Sequence, residues 1–508
     1  MNSKLKIQPL IELANKIEER STDRSKRNWT YYTTGDDFGV EDSLKKIKEI
    51  YKDKKSFDLI RSFQDKDLNH HDKRCVELLY NSFEPYHLSK ELNDLDERIS
   101  TLRTKLSGVL NTHRSTIDGV ELSSNDISKM VSTSPDEKVR EKAWRSRAQV
   151  NKPLVDGGFI ELLNLRKEYA SLYGAKDFTT MELERNELNP SLFSDWDKQL
   201  KEVLPALKKD KQGFANEFLQ KETLDPWDER YISNQICSYN KKEVNMIDYY
   251  SHICDLYKKF DFDLTKQNIT FDVFPRKNKS EWGYQFTVEL GRDCRILANI
   301  DNQYINYNVL LHEAGHANHY NNVNSEDTII NWGISGIISE GLANLFGGMQ
   351  LEEIFYSKFF KDKNATKEFE RLNNWIKKSS LSSIQTILFD QELYRRDLKS
   401  LDDINQLNIE YMKELGTVDS FTGEPPWGFL IHHTTHPIYL HNYFMGDVTC
   451  EMFKKVYCRD NGIKSIFEDT KGFGKFLKEK VIQPSGLYKF EDLFRNISGE
   501  EFSLKYIL

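Results

Sequence analysis

The sequence predicts a mostly α-helical protein with one small antiparallel β-sheet, and three observations predict it. Glycine and proline are sparse, 25 and 12 in 508 residues, while charged residues make up 30%. Few helix breakers and many charges favour helices with solvated outer faces. From the start to about Thr265 apolar residues recur at helical spacing, most clearly in Leu88 to Leu110 and Phe159 to Leu172. Between Ile269 and Ile300 the period drops to two, then returns to the helical one.

The chain reads as one domain over 1–508 in four parts: a helical N-terminal part (1–265), a β-meander (266–300), helices carrying the candidate site (301–460) and a helical C-terminal part (461–508). Turn signals break the first part at Thr34 to Asp37, Ser132 to Pro135, Asn189-Pro190 and Asp225-Pro226. Lys45 to Lys55 and Lys198 to Lys221 read as solvated helix faces. A net charge of -8 without a basic stripe argues against nucleic acid as a partner. No apolar run approaches a membrane span, and charges interrupt every apolar cluster in Met1 to Arg20, so neither a membrane nor a secretory signal is expected. Six cysteines without Cys-x-x-Cys spacing read as reduced thiols of a cytoplasmic protein.

In the period-two stretch Ile269, Phe271 and Val273 form one alternation, Tyr284, Phe286, Val288 and Leu290 a second, and Cys294, Ile296, Ala298 and Ile300 a third. An exposed edge of such a sheet can take an extended peptide as an added strand. The sheet feeds into Leu310-Leu311-His312-Glu313-Ala314-Gly315-His316. Residues i and i+4 of a helix share a face about 6 Å apart, so His312 and His316 can close on one metal ion, and the H-E-x-x-H spacing is that of zinc hydrolases. Glu313 points about 100° round the helix, where it can take a proton from a water that the metal makes acidic. Ile305, Val309, His312 and His316 continue one inward face, with Asp301 as the expected N-cap.

A third ligand is sought in Trp332 to Asn344, an apolar helix with one carboxylate, Glu340, in its middle. An unpaired buried charge costs several kcal/mol, which a cation removes. Asn344, one turn on, can hydrogen-bond a ligand histidine. The alternative pattern with a third histidine fails, since His319 and Asn322 stand where its Gly and His belong. Further on, His432, His433, His436, Tyr439, His441 and Tyr443 crowd into thirteen residues. A phenol or imidazole among them suits stabilisation of an oxyanion.

These pieces resemble the helical zinc peptidases with a Glu third ligand, the angiotensin-converting enzyme family and the oligoendopeptidase F and thimet oligopeptidase family. Gly291 to Ile296 resembles the Gly-Lys-Asp-Phe-Arg-Ile strand of the first, and Glu340 stands at its spacing after His316. His433 and Tyr443 match its His and Tyr that contact substrate and oxyanion, while Pro437 to Tyr443 resembles a run of oligoendopeptidase F that makes Tyr439 a second donor. The resemblance covers about Gly283 to Met452, and the helical remainder agrees only in character. It implies a helical ellipsoid whose two lobes flank a deep central cleft, one Zn2+ held by His312, His316 and Glu340, Glu313 as general base, and a peptide substrate aligned by Trp282, Gly283 and Tyr284. The family's Lys that grips a terminal carboxylate is Ile431 here, its Asp after the Glu ligand is Asn344, and its chloride-binding Arg is Asn442. The expected function is therefore hydrolysis of short unfolded oligopeptides. A dipeptidyl carboxypeptidase-like exopeptidase and a zinc-containing peptide-binding or single-substrate processing protein are the alternatives. Side-chain preference and oligomeric state stay open.

Overall fold

Local sequence sets most helix ends. Gln8–Thr34 stops at Gly35, whose φ of 78° suits a residue without a side chain. Lys90–Thr112 starts where the Ser89 hydroxyl accepts from the Leu92 N–H, and it buries Leu92, Leu95 and Leu106. Phe159–Tyr173 buries Leu162, Leu163, Leu165 and Tyr169 and ends at Gly174. The computed structural model describes residues 6–280, 283–418 and 421–508, and no helix among them is long and apolar enough to cross a membrane.

Two details depart from the expected run of helices before Thr265. A hairpin, β1 (Ser115–Ile117) with β2 (Val120–Leu122), interrupts it. Asp118-Gly119 form its turn at φ 51° and 83°, a dipeptide whose tolerance of positive φ favours tight hairpins. Lys211, expected on a solvated face, is 1% exposed; it pairs with Glu229 and donates to Thr417 Oγ1 at 3.0 Å. A buried ammonium needs such partners, and they lie far off in sequence.

The second sheet corrects the expected antiparallel meander. β3 (Ile269–Asp272), β4 (Tyr284–Glu289) and β5 (Asp293–Leu297) lie in the order β3-β5-β4, with β3 parallel to β5 and β4 antiparallel to it. Period-two alternation fixes which faces are buried but not which strands are neighbours. A tight turn at Gly291, φ 73°, makes β4 and β5 partners. The long connection from Asp272 to Tyr284 lets β5 take the central place. Lys279 ties that connection down: its ammonium, buried at 0% side-chain exposure, donates to the carbonyls of Asp272, Phe274 and Ala298 and to Asp272 Oδ1. β4 is thus an edge strand.

The chain divides into two compact units. The first comprises Met1–Leu88, Tyr239–Asp362 and Met445–Ile507, and the second Ser89–Ser238 and Lys363–Phe444. In the first, the motif helix Asn308–Asn321 lies between the β4-β5 strands and the helix Gly336–Gly348. Leu310, Leu311, Ala314 and Ala317 are buried along it. Gly315 makes the helix contact possible, since a Cβ there would stand 2.7 Å from Ala343 Cα. Tyr257 closes the back of the pair: its hydroxyl donates to Leu311 O at 3.1 Å and its ring stacks on Phe346 at 4.2 Å.

Candidate active site

The motif helix begins at Asn308, six residues later than Asp301 as N-cap suggests. Asp301 Oδ1 accepts from the Gln303 N–H and Asn306 Nδ2 ahead of the 3-10 turn Tyr304–Tyr307 that leads into Asn308, and no side chain caps that turn. The expected inward face also needs correction. Ile305 is 37% exposed, Val309, His312 and His316 are half-buried, and the rest of the helix is buried almost all round. A ligand face must stay open to its ligand, so it is the least buried face here.

His312 and His316 present their rings edge to face, 4.9 Å apart. Glu340 reaches them from the second helix, with Oε2 3.7 Å from His312 Nε2 and 3.9 Å from His316 Nε2. One tetrahedral zinc ion holds N and O donors about 3.4 Å apart, so the three donors need little movement to share it. Two further observations fit a cation at this point. Glu340 Oε2 is buried with no hydrogen-bond partner among the described residues. Burial pushes His312 down to about 4 and His316 well below its usual range, so both imidazoles are neutral at pH 7. Burial, with the charge of Asp447 behind it, pushes Glu340 up to about 7. These groups disfavour negative charge until a cation joins them.

The imidazoles are oriented from behind. His316 Nδ1 is 2.8 Å from Ser339 Oγ, which donates to Tyr320 OH at 2.9 Å. Asn344 hydrogen-bonds the His312 ring, and its Nδ2 donates to Asp447 Oδ1 at 2.8 Å. Asp447 therefore decides which way the Asn344 amide faces, leaving Oδ1 toward the imidazole. The sequence reading missed Ser339 and Asp447. The rule that singled out Glu340, a carboxylate inside an apolar run, also picks out Asp447 within Phe444 to Val448.

Glu313 is 8% exposed, and burial, with the neighbouring Glu340 charge, pushes it up to about 8. The Gln285 N–H of β4 donates to its carboxylate. At Gly283 a Cβ would meet Val309 at 2.6 Å and Glu313 Oε1 at 3.8 Å, so only glycine lets the strand come this close. Tyr284, 37% exposed, packs edge to face on Tyr32 at 5.3 Å. Trp282 lies outside the described residues.

His433, Tyr439 and Tyr443 belong to the second unit. Tyr443 and Tyr439 are 42% and 36% exposed, with rings 5.5 Å apart, and His432 stacks on Tyr439 and meets Tyr443 edge-on at 5.8 Å. His433 is 2% exposed, its Nδ1 2.6 Å from Asp390 Oδ1. Asp390, also missed, accepts the Ile438 N–H on its other oxygen at 2.7 Å. This clamp holds Ile438 at φ 53°, a conformation that costs a β-branched residue about 1–2 kcal/mol. One buried carboxylate thus sets both the His433 ring and the turn that presents Tyr439.

Residues 130–258 match the model of Peptidase family M3. In fold the chain is similar to PZ peptidase A solved with an inhibitor, at 14% identity and a TM-score of 0.72, covering 97% of this chain and 92% of that one. It is also similar to the M32 carboxypeptidase of Deinococcus radiodurans R1, at 13% identity and a TM-score of 0.64, covering 98% and 97%. No curated protein matches the sequence. The resemblance to the thimet oligopeptidase and oligoendopeptidase F group holds. The family match falls in the helical part outside Gly283 to Met452, so that part agrees in more than character.

Proposed function

Starting from this relation to the family M3 peptidases, we propose that the protein is a zinc-dependent metallopeptidase hydrolysing short, unfolded oligopeptides. The observation that carries the reading is the convergence of His312, His316 and an otherwise unpartnered Glu340 oxygen beside Glu313. One Zn2+ held by those three side chains would supply Lewis acidity, polarising the scissile carbonyl and making the attacking water acidic.

The chain's own groups do the rest. Glu313 takes the proton of the attacking water and delivers it to the leaving amine. The Gln285 N–H fixes that carboxylate. The free edge of β4 hydrogen-bonds an extended substrate backbone, with Tyr284 at its start and Gly283 just before it. Tyr443 donates to the oxyanion, with His433 as its companion and Tyr439 as a second phenol. Asn344 keeps the His312 ring in register. Ile431, 44% exposed where the converting-enzyme family has a lysine, offers no counter-charge to a terminal carboxylate, which favours internal cuts. Six free cysteines suit a reducing compartment such as the cytoplasm.

The test is mass spectrometry of a mixed peptide library incubated with the zinc-loaded protein, its Glu313→Gln variant and a chelated control. Internal cuts made only by the intact zinc protein are expected. Consistent loss of two C-terminal residues would assign an exopeptidase instead. Absence of cleavage with stoichiometric zinc would leave a peptide-binding or single-substrate protein.

A further inference from the structure

The first unit holds a second group of metal-type donors. His71 and Cys75 lie one turn apart on the helix His70–Phe83, and Asp327 reaches them from the segment after the motif helix. One donor atom from each lies within 4.8 Å of the others. His71 Nε2 is 2.8 Å from Asp327 Oδ2, while its Nδ1 is 3.2 Å from Asp72 Oδ1 and 3.9 Å from Cys75 Sγ. We propose that His71 Nε2, Cys75 Sγ and an Asp327 oxygen form a second site, for a divalent transition metal of the zinc class, with Asp72 orienting the ring through Nδ1.

The donor chemistry selects the ion. Sulfur, imidazole nitrogen and one carboxylate oxygen suit Zn2+ and its neighbours rather than Ca2+ or Mg2+, which want oxygens. Tetrahedral zinc sets such donors about 3.3–3.6 Å apart, so binding opens the His71–Asp327 contact by about half an ångström. Asp72 is 1% exposed and held by Asn69 Nδ2 at 3.2 Å, and a carboxylate behind a ligand imidazole fixes its tautomer. Burial pushes the Cys75 thiol up to about 12; metal binding takes the thiolate and releases its proton to solvent.

Charge and access agree. Among the described residues no lysine or arginine pairs with Asp72 or Asp327, whose ionic partner is His71. The acidic group Glu137, Asp225 and Asp228 makes the contrast, because the Lys221 ammonium bonds all three and already fills that centre. His71, Asp72, Cys75 and Asp327 line a cavity of about 880 Å³ that also reaches Thr287 and Glu289 of β4. An ion enters through it, and the remaining coordination position opens on it. Bound there, the ion ties the helix His70–Phe83 to the segment joining the motif helix to the Glu340 helix.

Cobalt separates this site from the triad, because His312, His316 and Glu340 offer no thiolate. The full-length protein is titrated with Co2+ and followed by absorption. A thiolate-to-cobalt charge-transfer band is expected in the wild type, retained in His316→Ala and lost in Cys75→Ser, with zinc content falling from two ions per chain to one in the latter. A wild type that binds one zinc and shows no such band overturns the site without touching the peptidase reading, and leaves His71 as a structural bridge between two aspartates. A band that survives Cys75→Ser assigns the thiolate to another cysteine and equally overturns it. The wild-type spectrum depends on no variant's folding, and His71→Gln, with the thiol intact, is expected to weaken cobalt binding at this site at least tenfold.

Discussion

Replacing Gly315 by Ala tests how closely two helices must approach to build the triad. The new Cβ would stand 2.7 Å from Ala343 Cα, 3.1 Å from Leu342 O and 3.3 Å from Ala343 N. These are backbone atoms that cannot rotate away, and ordinary carbon contact needs about 3.5–4.0 Å, so the helices must part by about 1 Å. Overpacking of this kind costs about 1–3 kcal/mol, and the gain in helix propensity returns up to about 1. A net loss of about 1–2 kcal/mol is expected in the zinc-stripped protein. The donors already stand 3.7 and 3.9 Å apart, so retreat of the Glu340 helix weakens zinc at least about tenfold and activity about 100-fold. Competition with a chromophoric chelator reads the affinity, and urea unfolding of stripped and loaded protein separates packing from metal, tenfold weaker binding being worth about 1.4 kcal/mol. Gly348→Ala, at the end of the Glu340 helix, meets nothing within 4 Å and serves as the control. Gly315→Ala binding zinc as tightly as the wild type would refute the reasoning.

Glu313→Gln is expected to keep zinc and lose turnover by about 100- to 10,000-fold, read as metal content beside peptide hydrolysis. Asp447→Leu removes the acceptor that sets the Asn344 amide, so zinc affinity should fall roughly 10- to 100-fold; an unchanged affinity in the chelator competition would sink that relay. Asp390→Asn is expected to cost about 2–4 kcal/mol, because it weakens two bonds to a buried carboxylate, and to lower kcat more than it raises KM if His433 and Tyr439 act on the oxyanion. Burial holds His441 neutral and pushes it from 6.5 to about 4. Between those values the unfolded chain binds the proton first, so stability falls as pH drops from 6.5 to 4, by up to about 3 kcal/mol from this residue. His441→Phe should flatten that part of the stability profile, measured by urea unfolding across pH.

Much of the fold was legible because it is local. The 3.6 and 2 periods and the turn signal at Gly35 after Thr34 each lie within one window of sequence. His312 and His316 needed only helical geometry to face together, and Glu340 declared itself as a charge without a partner in an apolar run. Asp447, four residues after Tyr443, carried the same signal and was passed over, while Asp390, followed by Gln391 and Glu392, does not stand out in its own stretch. Lys211 and Lys279 were hidden for a related reason: lysines are so often solvated that only the acceptors gathered round them in the folded chain reveal them as buried.

The sequence by itself pointed to most of the helices, to the three strands between Ile269 and Ile300, and to residues whose chemistry can ligate a metal. Only the tertiary structure decided that β5 lies between β3 and β4, that Glu340 comes within 4 Å of both histidines, and that Ser339, Asn344 and Asp447 stand behind the rings. The physical reason is range. Periodicity and capping follow from bonds a few residues apart, whereas the path of a loop and the approach of two helices are chosen by packing and charge compensation between residues far apart in the chain.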